Sequence, residues 1–139
     1  MIALTKGIYE RALADTALQA LIGGRFFEVE APQETDLPYV VYSVISNTNT
    51  PTFTEKVESL RVQFSVVSRE SGSTQIKNVL AALEAVFDEA KFTVFTDGTA
   101  SGKAENFERV TKFYDRYMAD DGQGEWNGFI DYMVLYQKY

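Results

Sequence analysis

The stretch that most constrains this chain is Leu37-Pro38-Tyr39-Val40-Val41-Tyr42-Ser43-Val44-Ile45-Ser46, a run of β-branched and aromatic residues opened by a proline. It reads as a central strand. Proline is tolerated at a strand's first position, where its missing N–H is least needed, and the residues after it are apolar on both alternating faces. Both faces therefore need cover. Helices are expected on one, and more of the chain or a second subunit on the other.

The flanking segments supply candidates for that cover. From Leu4 to Ile22, apolar residues recur at three- and four-residue intervals, as on one face of an amphipathic helix. This is one helix, or two with a restart at Thr16, where Thr16 and Gln19 have the spacing of a capping box. Gly23-Gly24 supplies a left-handed stop, and 25–30 then reads as a short strand. After Ile45, the polar run 46–52 predicts a projecting loop. Ser59–Ser68 alternates cleanly, with Leu60, Val62, Phe64 and Val66 on one face, and is expected to pair antiparallel with the opening strand. The clearest helix runs from Thr74 to Phe87, with Ile76, Val79, Leu80, Leu83, Val86 and Phe87 on one stripe.

In the last third, Lys91–Val94 reads as a short strand and Thr96–Lys103 as a flexible loop. Asn106–Tyr117 and Trp126–Tyr136 then form a long β-hairpin about the turn Asp120–Gly124. Tyr132 and Tyr136 share a face with Ile130 and Val134, while Phe129, Met133 and Leu135 share the other, so this strand too is apolar on both sides. The expected fold is α+β: a single domain over residues 1–139, with a mostly antiparallel or mixed β-sheet flanked by an amino-terminal helix and one long central helix.

Composition narrows the function classes. The chain has 139 residues, 45% hydrophobic and 24% charged, and no run approaches the roughly 18 apolar residues of a membrane span. Its amino terminus lacks the basic and apolar segments of a secretory leader, so a cytoplasmic origin is expected. It has no cysteine and no histidine, which removes disulfides, thiolate nucleophiles, imidazole bases and the common zinc ligand sets. A net charge of −7 and a pI near 4.6 argue against a binder of nucleic acid, which gathers Lys and Arg.

Gly98–Ala104 is glycine-rich before Lys103, but its spacing is one short of a phosphate loop and Ala104 stands where a Ser or Thr would hold magnesium. Asp120, Asp121 and Glu125 lack the alternation of a calcium loop, and the pairs Asp88-Glu89 and Glu28/Glu30 have nothing to gather them in a cleft. No catalytic, cofactor-binding or metal-binding residue is expected. Candidate contact residues are the aromatics Trp126, Phe129, Tyr132 and Tyr136, because large amphipathic rings are enriched at interfaces, together with Thr48, Asn49, Phe53, Thr99 and Lys103 in the two polar loops.

Four pieces carry a family resemblance: Leu13-Ala14-Asp15-Thr16-Ala17-Leu18-Gln19-Ala20-Leu21-Ile22-Gly23-Gly24-Arg25, Leu37–Tyr42, Arg61–Val66 and the Thr74–Phe87 helix. In order and spacing they resemble the tail-completion, or tail-terminator, proteins of long-tailed bacteriophages and gene transfer particles. The resemblance implies a non-enzymatic virion protein of the tail or neck, assembled in the host cytoplasm. It implies a hexameric ring at the head-proximal end of the tail tube, where it stops tube growth and docks the head. Its partners would be other copies of itself, the tail tube protein and a head completion or stopper protein. DNA would pass through the lumen without specific binding, and no membrane is involved. The alternatives are another ring-forming connector, neck or tube component, or a small ligand-binding module.

Overall fold

The computed structural model describes residues 2–46, 57–69, 73–118 and 124–139. In chain order its elements are α1 (Ile2–Ala14), α2 (Thr16–Ile22), β1 (Phe26–Glu28), β2 (Tyr39–Ser46), β3 (Val57–Ser68), α3 (Thr74–Phe87), β4 (Phe92–Thr96), β5 (Thr99–Met118) and β6 (Gly124–Lys138). The strands form one mixed sheet in the order β1-β2-β3-β6-β5-β4. β1 runs parallel to β2, and the other neighbouring pairs are antiparallel.

Local chemistry explains the element boundaries. The amino-terminal helical stretch is two helices, but the cap of the second is Asp15, one residue before the expected restart. Its carboxylate accepts from the Leu18 N–H at 2.8 Å. Gly23 closes α2 at φ 57°, a conformation in which a side chain is strained. The Leu37–Pro38 peptide is cis, and the Pro38 carbonyl accepts from Arg25 Nε at 2.9 Å, joining the approach of β2 to that of β1. The Thr96–Lys103 loop is absent. Asp97 (φ 50°) and Gly98 (φ 79°) make a two-residue turn, and Thr99 already starts β5. Gly102 lies in the ladder, opposite Val94 on one side and Lys138 on the other, so the phosphate-loop geometry does not exist there.

Two positional expectations are also corrected. β2 is second from one border of the sheet, and the centre is the β3–β6 pair. No single long helix dominates: α3 has 14 residues and α1 has 13, and α1, α2 and α3 share one layer.

That layer covers one face. Val40, Tyr42, Leu60, Val62, Phe64, Val66, Ile130, Tyr132, Val134 and Tyr136 are buried beneath it, and all six stripe residues of α3 are buried with them. An aromatic chain crosses this core. Phe26 stacks on Tyr42 at 4.7 Å, Phe64 meets Phe87 at 4.6 Å, and Phe87 and Phe92 each approach Phe107 within 6 Å. The layer is tied down by polar contacts: Tyr42 donates to the Thr5 carbonyl at 3.0 Å, and Arg11 Nε donates to the Val86 carbonyl at 3.0 Å.

Candidate assembly surface

Because side chains alternate along a strand, the residues between the buried ones point to the opposite face of the sheet. None of the described helices packs there. Tyr39 and Val41 of β2, Val67 of β3, and Phe129, Met133 and Leu135 of β6 lie half-buried on it, while Ile45 and Phe113 are each 50% exposed. Phe113 and Phe129 stack across β5 and β6 with centroids 4.9 Å apart, and Phe27 meets Tyr39 edge-on at 6.4 Å.

One ion pair sits in this apolar setting. Arg61 of β3 binds Asp131 of β6 through Nε at 3.1 Å and through Nη2 to the same Oδ2. Asp131 is 5% exposed and its Oδ1 has no hydrogen-bond partner among the described residues, whereas the Arg61 side chain is 43% exposed. Such a pair tolerates a covering surface better than a free charge, since each ion is already partly compensated.

The expected contact residues fall in different places. Phe129 is on the helix-free face. Tyr132 and Tyr136 are in the core, against the expectation of a surface role, because their strand face is the one the helices cover. Trp126 is half-buried at the border of the core, with its ring 5.9 Å from Tyr114 and the Arg116 guanidinium 5.8 Å above it. Thr99 is exposed at the start of β5, and Lys103 is half-buried beside Glu105 at 3.4 Å. Thr48, Asn49 and Phe53 lie outside the described residues. Phe113, Ile45, Arg61 and Asp131 also lie on the helix-free face without being expected contact residues; the second apolar phase of β6 marks the position of Asp131, while the other three stand on β5, β2 and β3.

Among the described residues no group of three or more Asp or Glu side chains could hold a metal ion. A cleft of about 1010 Å³ opens between the end of α3 and β5, with Asp88, Glu89, Glu105 and Glu108 facing Lys91 and Arg109. Asp88 and Arg109 form an ion pair across it at 3.7 Å, and Glu84 pairs with both Arg109 and Lys112. These charges neutralise one another at the surface instead of converging on a vacant centre.

The family model described as tail completion protein gp17 matches residues 6–136. The chain belongs to this tail completion family. It is accordingly a phage tail structural protein, a component of the virion. No curated protein matches it in sequence. In fold it is similar to a chain from the virion of a native gene transfer agent particle, with a TM-score of 0.68 at 15% identity over 94% of this chain and 90% of that one. A second solved chain gives a TM-score of 0.57 at 14% identity, covering 100% and 96%.

Proposed function

We propose that this tail completion protein is a tail terminator: a single domain that closes into a hexameric ring on the head-proximal end of the tail tube, stops tube polymerisation and presents the surface on which the head docks. The observation that carries this reading is the helix-free sheet face, where Val41, Val67, Phe129, Met133 and Leu135 share one side of the sheet with the Arg61–Asp131 pair. Apolar area of this kind marks a surface that another protein covers. A closed ring needs one patch of each subunit to meet a different patch of the next, and an extended sheet with one open face offers such patches. Family membership supports the tail as the setting. The tube protein and a head completion or stopper protein are the partners in this reading, and assembly takes place in the host cytoplasm.

The net charge of −7 supports an acidic lumen through which DNA passes without adhering. A ring whose inner wall is predominantly Lys and Arg would overturn that part alone. The role as a whole is tested by imaging particles made without the protein. Overlong tails, detached from full heads, are the expected result; tails of normal length joined to heads would refute termination.

A further inference from the structure

The sheet has two unequal borders. At one, β4 pairs with β5 only from Thr99 to Ala104, and the Glu89 N–H reaches the Phe107 carbonyl at 3.1 Å. From Glu108 to Met118 no other described backbone group bonds to the outer edge of β5. The Arg116 N–H is met by the Asp115 carboxylate at 2.8 Å, as happens to an amide without a strand partner. This run also carries Val110 at 51%, Phe113 at 50% and Tyr114 at 39% exposure, a concentration of apolar area on a long open edge. Proteins normally blunt such edges, and an edge left open is a template for another strand.

At the other border, β1 covers β2 only from Val40 to Tyr42, and the Val29 N–H closes on the Tyr42 carbonyl at 2.8 Å. Ser43–Ser46 of β2 therefore has no described partner on its outer side. Beside it stand Glu28, Glu30 and the 70% exposed Val29.

We propose that the open edge of β5 between Glu108 and Met118 receives the β1–β2 border of a second copy, so that the sheet continues from subunit to subunit. This rests on the ring reading above and names the contact that closes it. Strand direction fits. β2, β3, β6 and β5 are successively antiparallel, so β2 and β5 run in opposite senses. Two copies placed side by side with the same face outward then bring β5 against β2 as an antiparallel pair, whose hydrogen bonds lie straight across the ladder. Charge fits as well. On the β5 edge Arg109 and Lys112 already pair with Glu84 and Asp88 of the same chain, and Glu108 and Asp115 offset part of the charge, so Arg116 is the cation offered to Glu28 and Glu30 of the opposite border. Opposite charges across paired strands stabilise the pair, and like charges oppose slippage. The contact joins two different patches, as a closed ring requires.

The test is sedimentation of the full-length protein over a range of concentrations, alone and on isolated tail tubes, joined to amide hydrogen exchange of the assembled and dilute forms. Assembly is expected to slow exchange in 43–46 and 108–118 by at least about tenfold, because those amides gain strand partners. Arg116→Glu, and separately Glu28→Lys with Glu30→Lys, are expected to raise the concentration needed for assembly by about tenfold, and the combined variant to recover most of that loss. Circular dichroism checks that each variant folds; Val110→Lys replaces any that does not, and exchange in the unmodified protein decides without a variant. A ring whose 108–118 amides exchange as fast as in the monomer overturns the edge pairing and leaves the ring intact. A protein that forms no ring in solution or on tubes overturns both.

Discussion

The Tyr132 hydroxyl donates to Asp88 Oδ1, so that a side chain from the central strand β6 holds the residue that caps the end of α3. The same ring lies 6.0 Å from Phe64 and 5.9 Å from Phe107, at the junction of helix and sheet. Tyr132→Phe keeps the rings and removes the donor. Because Asp88 is 41% exposed and water can replace the lost bond, the expected cost is about 0.5–1.5 kcal/mol in urea unfolding.

The same tyrosine sets an alkaline limit. Burial, reinforced by the bond to Asp88 and its charge, raises the Tyr132 phenol above the ordinary range; burial followed by the Glu28 carboxylate raises that of Tyr42. A phenol raised on folding favours the folded state fully below its unfolded pKa of about 10 and loses that contribution as pH rises through the folded value. Urea midpoints should therefore fall with rising pH above about pH 10, and a variant with Tyr42→Phe and Tyr132→Phe should fall less steeply. Equal slopes would mean that neither phenol contributes.

Leu83 is fully buried in the middle of the α3 stripe. Leu83→Ala removes apolar atoms and leaves a cavity that helix and sheet close only in part, so a loss of about 2–5 kcal/mol is expected, read as a lower unfolding midpoint with unchanged m-value.

That stripe shows what was legible in the sequence. A 3.6-residue period identified every buried position of α3, and a two-residue period identified Leu60, Val62, Phe64 and Val66 of β3, because burial on one side leaves a periodic trace. The sheet order left no such trace. β3 pairs with β6 across about half the chain, and strands that alternate equally well do not reveal their neighbours. β2 looked central because it is apolar on both faces, yet its second face is the one without helices. Asp97-Gly98 was a readable turn hidden by the Gly, Ser and Thr after it, and Tyr132 and Tyr136 were misplaced because aromatic character does not distinguish core from contact.

Two glycines separate backbone from side-chain constraint. A Cβ on Gly102 would lie 2.7 Å from the Gln137 carbonyl oxygen, and one on Gly128 would lie 3.0 Å from Leu80 Cδ1 and 3.1 Å from Ile76 Cδ1. The carbonyl belongs to the ladder and cannot yield without shifting the strand, whereas the Leu80 and Ile76 termini can rotate. Gly102→Ala should cost more than Gly128→Ala, with both in the range of about 1–3 kcal/mol set by overpacking. Thermal midpoints of the two variants check the order, and the reverse order would show that α3 is the more rigid neighbour.

The Arg61–Asp131 pair gives an asymmetric prediction. Removing Asp131 leaves an arginine whose side chain is already 43% exposed and can turn to water; removing Arg61 leaves a carboxylate that is 6% exposed, with Oδ1 lacking a partner among the described residues. Uncompensated burial of a charge is the larger penalty, and the exposure of Arg61 keeps the pair's own contribution small. Arg61→Ala should therefore destabilise the monomer by about 1–3 kcal/mol more than Asp131→Ala. Urea unfolding of both variants at neutral pH measures the gap. If Asp131→Ala proves the more harmful, Asp131 supports the sheet by bonds to its strand neighbours and not through Arg61.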